Sequence, residues 1–340
     1  MMDVVDLTRR LVEIESPSFS EGRVVEFMHG LLVKAGYQVI RQPVSDGRDN
    51  LYAFRAPPVV VLSTHLDCVP PFVPWREDGD MLHGRGVCDA KGLAAAMVVA
   101  AERLSAAGEQ RVGLLFVVGE ERGSDGARAA ASLEPKGKFL INGEPTEELL
   151  CVAQKGSLLA RVEARGVPAH SAYPEEGASA ILRLLTVLDR LRRMPLPFDP
   201  ILGPTTLNIG VISGGNAPNV IPEHASAEVL IRTVGPSDRL REQILGVADT
   251  DVTITFPAEL PHFLGERLDG WETTAVRFAS DLPLHTTWGR RFQLGPGTIR
   301  VAHTLDERIT RGELEAGVEA YVRICRQLLV SPLDTSSGEG

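Results

Sequence analysis

Apolar residues recur at helical spacing near the start of the chain and predict two amphipathic helices before Gly36. Beyond them, short and almost uninterrupted apolar runs alternate with further helical stretches. Strands that are apolar on both faces are typical of a sheet covered by helices on each side, so this pattern predicts an α/β fold. The predicted strands are residues 59–63, 112–118 and 138–142, and the helix between the first two is residues 93–104.

The pattern changes after residue 154. Residues 157–165 alternate between apolar and polar, as expected for an antiparallel strand, and a strong helical pattern follows at residues 177–193. Two strand patterns, a helix and a last strand then complete the order β-α-β-β-α-β, which is typical of a ferredoxin-like unit. These later elements are predicted at residues 205–212, 225–233, 237–247 and 252–256.

The length of 340 residues suggests about two domains, at roughly 150 residues each. Because the α/β pattern returns from Trp271, we predict that the second domain is inserted into the first. The first domain is predicted to contain residues 1–154 and 258–330, and the insertion residues 155–257. Residues 331–340 are rich in Ser, Gly and acidic residues and are predicted to form a flexible tail.

Composition narrows the classes of protein. With 44% hydrophobic residues the chain can bury a sizeable core, and its 35 basic and 45 acidic residues give a net charge of −10. Such acidity argues against nucleic acid or an anionic membrane as a partner. No apolar run approaches 18 residues, no signal peptide is visible, and the four cysteines form no CxxC pair. We therefore expect a cytoplasmic protein with reduced thiols.

Imidazole and carboxylate side chains come directly after the predicted buried strands, or at the start of the helix between them. Taken singly, each has an ordinary explanation, such as a histidine in a turn, a helix N-cap or a solvated acidic turn. Together, two imidazoles and several carboxylates at one sheet edge suit zinc-like divalent ions, and four carboxylates can neutralise two of them. These candidates are His65, Asp67, Asp89, Glu120, Glu121 and Glu144, together with His303, which lies far along the chain where the α/β pattern has returned.

The same residues lie in five ordered motifs. The motifs are Ser63-Thr64-His65-Leu66-Asp67, Gly86-Val87-Cys88-Asp89-Ala90-Lys91-Gly92, Gly119-Glu120-Glu121, Gly143-Glu144-Pro145-Thr146 and Ala302-His303-Thr304. With them, the chain resembles the M20 family of dinuclear zinc amidohydrolases and exopeptidases over about residues 5–330. The resemblance implies a zinc-exopeptidase-like three-layer α/β/α catalytic domain with an inserted ferredoxin-like α+β domain, which serves as lid and dimerisation domain.

The resemblance also implies a role for each ligand. His65 and Glu144 would bind one divalent ion, and Glu121 and His303 would bind the second. Asp89 would bridge the two ions, which lie about 3.5–4 Å apart in dinuclear sites. Zinc is the expected metal, with cobalt or manganese as alternatives.

Two further acids would act beside the ions. Asp67 would orient the imidazole of His65, as partners of metal-binding histidines do. Glu120 would be the general base that takes a proton from the metal-activated water and returns it to the departing amine.

Four more residues are expected to act on the substrate. His170 resembles the family's lid histidine, which donates to the oxyanion at a neighbouring subunit's metal site, so a homodimer through the lid is implied. Asn219 and Arg232 resemble lid residues that hold the substrate, with the arginine on its α-carboxylate, and Gly297 resembles a turn lining the pocket. The ordinary alternatives are a surface histidine in a turn and a surface arginine.

The leading hypothesis is a metal-dependent hydrolase that releases an amino acid from an N-acyl amino acid. The short chain and the Gly143-Glu144-Pro145-Thr146 motif favour an acetylornithine or acetyl-lysine deacetylase, hence a role in amino-acid biosynthesis. The alternative is an exopeptidase of the same family, either a dipeptidase or a carboxypeptidase. A noncatalytic relative that binds amino-acid derivatives would be expected to have lost the base or a ligand, and this chain retains them all.

Overall fold

The computed structural model describes residues 2–330, so the predicted tail 331–340 lies outside the described residues. The chain forms two compact units. The first unit runs through Val152, resumes at Gly265–Thr274 and continues from Leu284, while the second contains Ala153–Leu264 and Ala275–Pro283. The domain boundaries derived from the sequence pattern stay predictions, and the compact units change over at neighbouring but not identical positions.

Within residues 2–330, strands alternate with helices in the first unit, and the second unit contains further strands and helices of its own. The strands are β1 (Gln38–Ser45), β2 (Arg48–Phe54), β3 (Val60–His65), β4 (Arg76–Asp78), β5 (Met81–His83), β6 (Val112–Val117), β7 (Phe139–Asn142), β8 (Leu150–Gln154), β9 (Ser157–Arg165), β10 (Phe198–Asp199), β11 (Gly203–Pro204), β12 (Thr206–Gly214), β13 (His224–Arg232), β14 (Val252–Leu260), β15 (Phe263–Leu264), β16 (Thr273–Val276), β17 (Arg290–Gln293) and β18 (Arg308–Thr310). The helices are α1 (Val4–Val12), α2 (Gly22–Lys34), α3 (Lys91–Ala106), α4 (Asp125–Ala129), α5 (Ala180–Arg193), α6 (Asp238–Leu245) and α7 (Arg311–Val330).

The main sheet of the first unit has the strand order β1-β2-β6-β3-β7-β17-β8. Its centre is parallel: β3 pairs with β6 and β7, and β7 pairs with β17. Every residue of β3, β6 and β7 is buried, as their apolar sequences predict for strands covered on both faces. Parallel strands end at the same edge, and His65 lies beside Val117 in the register, so the loops after these strands come together.

Helix α3 lies at the centre of the helical packing and contacts both α1 and α7. Its run of alanines and valines is almost wholly buried, which allows close approach of neighbouring backbones. Helix α2 packs on β1 and β2. At the N-terminus of α1 the side chain of Asp3 accepts the amide of Asp6 at 2.8 Å, which caps the helix.

The second unit contains a four-stranded antiparallel sheet in the order β12-β13-β9-β14. Helices α5 and α6 pack on it around a separate apolar core, which gives the β-α-β-β-α-β arrangement expected from the sequence. The α/β fold class with a ferredoxin-like second unit is thereby confirmed. Helix α5 begins at Ala180 rather than at residue 177, because Gly177 is extended and Ser179 accepts the amide of Leu182 at 3.3 Å as the N-cap.

The sequence also led to expectations about membrane-spanning segments and about the state of the cysteines. None of the helices described in residues 2–330 combines the length and apolar character needed to cross a membrane. All four cysteines, at positions 68, 88, 151 and 325, are buried free thiols.

Candidate metal centre

His65 is the last residue of β3 and is buried. Its Nε2 lies 3.1 Å from Oδ1 of Asp89, and its Nδ1 lies 2.9 Å from the main-chain oxygen of Asp67. The carboxylate of Asp67 is farther from Nδ1, at 3.4 Å. The nitrogen that faces the cluster is therefore Nε2, and the opposite nitrogen lies closer to the main-chain oxygen of Asp67 than to the carboxylate that the sequence led us to expect.

The carboxylate of Asp67 serves mainly to hold the turn that carries the two glutamates. It accepts the amides of Glu120 and Glu121, each at 3.1 Å, and the hydroxyl of Ser18 at 2.7 Å. The turn follows β6 and begins at Gly119, whose φ of +75° favours glycine. The carboxylate of Asp67 thus holds the backbone of Glu120, the predicted general base, in position.

Asp89 lies between the two histidines. Its Oδ1 faces Nε2 of His65, and its Oδ2 lies 3.5 Å from Nε2 of His303. His303 in turn lies 2.8 Å from Oε1 of Glu121. One carboxylate with an oxygen toward each imidazole is the arrangement expected of a ligand shared by two ions.

Glu144 enters the cluster from the loop after β7. Its neighbour Gly143 is held against β3, where its amide donates to the oxygen of Ser63 at 2.7 Å and its carbonyl accepts the hydroxyl of Thr64 at 3.0 Å. The carboxylate of Glu144 is buried beside the carboxylate of Asp89 and the imidazole of His65.

His303 is built differently from the other candidates. Its side chain is 51% exposed, and its φ of +63° lies in the left-handed region, which is uncommon outside glycine. A left-handed conformation at a residue other than glycine costs stability, so it is kept only where the surrounding structure holds the residue in place.

These contacts assemble two groups, His65–Asp89–Glu144 and Asp89–Glu121–His303, each with its ligand atoms within 4.8 Å of one another. Both groups contain one imidazole and two carboxylates and share Asp89. Nitrogen and oxygen donors in this number fit a pair of zinc-like divalent ions. The protein is therefore metal-binding by the chemistry of its donor set.

The electrostatic environment of the cluster is strongly negative. Burial lowers the pKa of the His65 imidazole, but hydrogen bonds with Asp67 and Asp89 outweigh burial and raise it well above its usual value. The hydrogen bond with Glu121 is the main reason that the pKa of His303 is raised. Burial raises the pKa of Glu121, although His303 opposes the rise. Such an environment favours bound cations.

Glu307 is a residue of this region to which the sequence alone assigned no role. It is 1% exposed, and its Oε1 accepts the amides of Gly86, Cys88 and Asp89 at 3.0, 3.1 and 3.0 Å. Its Oε2 accepts Nη1 of Arg85 at 2.7 Å. Burial raises the pKa of Glu307, and the ion pair with Arg85 opposes the rise. No local pattern signals these contacts, because the partners lie more than 200 residues apart in the chain.

The substrate-side candidates lie in two places. In the second unit, His170 and Asn219 come together: Ser171 donates to the oxygen of Asn219 at 3.1 Å, and His170 forms a β-bridge with Val220. His170 is exposed. Arg232 ends β13 in the same unit.

Gly297 belongs to the first unit. Its φ is +78°, its oxygen accepts the amide of Glu147 at 2.8 Å, and a Cβ there would lie 2.8 Å from Sγ of Cys88. A side chain at this position would therefore disturb the turn and the loop that carries Asp89.

Comparison with known proteins supports these observations. The profile of a peptidase dimerisation domain matches residues 152–249, and that of peptidase family M28 matches residues 52–146. A Peptidase M20 domain-containing protein of Schizosaccharomyces pombe is 38% identical over 335 residues, or 95% of this chain and 84% of its own length. A probable carboxypeptidase of Ajellomyces capsulatus is 36% identical over 372 residues, which cover 94% of this chain and 85% of its own length. A tripeptidase from Staphylococcus aureus has the same fold, with a TM-score of 0.81 at 22% identity over 96% of this chain and 98% of its own.

The fold and the paired ligand groups define a metal-dependent hydrolase that acts on amide bonds. Because the identity to the yeast protein spans nearly the whole chain, the chain belongs to the M20 family of metallopeptidases. The family resemblance inferred from the five motifs is thereby confirmed.

Proposed function

We propose that the protein is a dinuclear metal-dependent exopeptidase of the carboxypeptidase type, which releases the C-terminal amino acid of a short peptide. The observation that carries the proposal is the shared carboxylate of Asp89 between two imidazole-containing groups. Similarity to a probable carboxypeptidase over 94% of the chain supports the choice of peptide over acyl amino acid.

His65 and Glu144 would hold one ion, Glu121 and His303 the other, and Asp89 both. Two divalent ions held there, zinc or alternatively cobalt or manganese, would lower the pKa of bound water toward about 7 and polarise the amide carbonyl. Glu120 is the general base: it accepts a proton from water and returns it to the leaving amine. Asp67 keeps Glu120 in place through its backbone amide at 3.1 Å.

Substrate recognition is proposed for the second unit. Arg232 would pair with the free carboxylate of the substrate, and Asn219 would donate to the substrate backbone. Lys155 and Arg277 line a cavity of about 450 Å³ in this unit, and burial together with Arg277 and Arg232 lowers the pKa of Lys155. A group of three cations supports recognition of an anionic end group. In the first unit, Gly297 is proposed as a further substrate-binding residue.

A homodimer through the second unit is part of the proposal. Exposed apolar side chains on α5 and β12, namely Leu182, Leu185, Val211 and Ile212, together with the match to a dimerisation domain, support it. His170 would donate to the oxyanion at the partner's metal centre.

The second candidate is the deacylase suggested by the sequence. It uses the same machinery, because an N-acyl amino acid is also an amide whose amine part carries a free carboxylate. Glu144, from the Gly143-Glu144-Pro145-Thr146 motif, lies in the group with His65 and Asp89. A deacylase would need Glu144 there as a metal ligand, just as an exopeptidase would.

The deciding experiment is hydrolysis of a matched panel by the Zn²⁺-, Co²⁺- and Mn²⁺-loaded protein. The panel contains dipeptides and tripeptides, the same peptides with amidated C-termini, and acetylornithine and acetyl-lysine. We expect free peptides to be cleaved at the last bond and amidated peptides to be resistant. Preference for the acetylated amino acids would establish the deacylase, and no hydrolysis with any metal would contradict both.

A further inference from the structure

Glu307 connects two segments of the chain. One is the loop that ends at Asp89, the ligand shared by both groups, and the other is the segment of His303, the half-exposed ligand. Glu307 lies four residues after His303, and its carboxylate accepts three amides of the loop that ends at Asp89, those of Gly86, Cys88 and Asp89, all at 3.0–3.1 Å. The connection continues in the backbone, where Gly84 donates to the oxygen of Glu307 at 3.2 Å. One buried side chain thus holds the loop of Asp89 against the segment of His303.

Strand pairing also joins the Asp89 loop to the segment of His303. Strand β18 begins at Arg308, directly after Glu307, and pairs antiparallel with β5, which ends at His83 just before the Asp89 loop. The loop therefore departs from the point where the two strands meet. Because backbone amides donate toward one carboxylate oxygen, the main chain of Asp89 is fixed without use of its own side chain, which stays turned toward the two histidines.

We propose that Glu307 is a positioning residue for the metal centre: its carboxylate holds the Asp89 loop so that the two oxygens of Asp89 face the two ligand groups. The inference rests on the proposed dinuclear function. It predicts a specific pattern. Since Asp89 belongs to both groups, loss of Glu307 weakens binding of both ions together, whereas loss of a peripheral ligand weakens one.

A buried ion pair elsewhere in the first unit provides a matched control. Glu21 is fully buried and holds Arg48 through two contacts, at 2.9 and 3.0 Å. Neither residue contacts the amide of Asp89 in the described structure. Replacing Glu21 by Gln removes a buried carboxylate from Arg48, which keeps a second carboxylate partner in Asp125 at 2.5 and 3.0 Å. The variant therefore reports the structural cost of losing one buried ion pair.

The test compares Glu307→Gln with Glu21→Gln in the full-length protein. Co²⁺ affinity is measured with metal buffers, and kcat and KM are measured at saturating Co²⁺. We expect Glu307→Gln to bind both Co²⁺ ions roughly 10- to 100-fold more weakly and to lower kcat more than it changes KM. Glu21→Gln should keep the wild-type Co²⁺ affinity at a similar loss of Tm. Equal Co²⁺ affinity in the two variants would overturn the proposal.

A measurement on the unmodified chain covers the case in which Glu307→Gln does not fold. In metal-stripped wild-type protein, the amides of Gly86, Cys88 and Asp89 should be protected from hydrogen exchange, because Glu307 and not a metal holds them. Exchange at the rate of exposed amides would overturn the proposal. Failure of the proposed function is distinguishable: the wild type would then hydrolyse none of the panel, whatever the Co²⁺ affinity of the variants.

Discussion

The two regions proposed to take part in catalysis differ in how their polar groups are held. At the carboxyl edge of the first unit, His65, Asp89 and Glu144 are buried and connected to one another or to neighbouring backbone. In the second unit, His170 is exposed and is positioned by backbone pairing with the segment of Asn219. A metal site requires ligands that are held in fixed positions, whereas groups that meet a substrate have to remain accessible. Substitutions in the two regions should therefore have different kinetic signatures.

The largest effect is expected for Glu120→Gln in the first region. Loss of the general base should lower kcat by roughly 10³-fold. Metal content, measured by elemental analysis, should stay at the wild-type level because the change leaves both ligand groups intact. Turnover close to that of the wild type would refute the role of Glu120.

His170→Ala tests the second region. Removing an oxyanion donor should lower kcat by about 10²–10³-fold while Zn²⁺ content and Tm stay unchanged. Mixing this variant with Glu120→Gln and allowing subunits to exchange should restore part of the activity if His170 acts across a dimer. Mixed dimers that stay inactive, with exchange verified by mass, would contradict the shared site.

A smaller effect, of a different kind, is expected for Arg232→Gln. Losing a charge-assisted pair to the substrate carboxylate should raise KM roughly 10- to 100-fold with a lesser change in kcat. Arg161→Gln on the neighbouring strand is the control, since Arg161 forms an exposed ion pair with Glu228 at 2.9 Å and has no proposed contact with substrate. A KM that changes equally in both variants would argue against a specific role of Arg232.

An effect on stability rather than on kinetics is expected for a buried histidine outside the metal centre. His285 is fully buried, its ring nitrogens have no hydrogen-bond partner, and burial lowers its pKa to about 3. An unfolded histidine has a pKa of about 6.5, so as the pH falls the unfolded chain takes up the proton first and folded stability is lost.

This loss should begin below about pH 6.5 and cost about 1.4 kcal/mol for each pH unit until the folded pKa is reached. His285→Phe should flatten the dependence of Tm on pH between about 6.5 and 4, as measured on metal-free protein by thermal unfolding. An identical slope in wild type and variant would show that His285 does not titrate in this way.

Much of the fold follows from local sequence. The apolar runs at β3, β6 and β7 had to be buried on both faces, and the β-α-β-β-α-β order of the second unit was visible in its periodicity. Helix and strand ends were less predictable. They depend on single caps, such as Ser179 at the start of α5.

The candidate site shows the same limit. The sequence placed His65 and Asp67 at the end of one strand, but β3 stops at His65, so the chain turns and the backbone oxygen of Asp67 meets the imidazole. The role of Glu307 depends on three amides that lie more than 200 residues away, and the left-handed backbone of His303 has no glycine to signal it.

The unequal burial of the two ligand groups has a kinetic consequence. All three residues of the group around His65 and Glu144 are buried, whereas the other group ends in the half-exposed His303. Water and chelators would reach the second position more readily, so the two ions of the proposed centre are expected to leave in a fixed order. Dialysis against a weak chelator should therefore pass through a state with one ion per chain, and metal exchange should be biphasic, with the slow phase reporting the buried position.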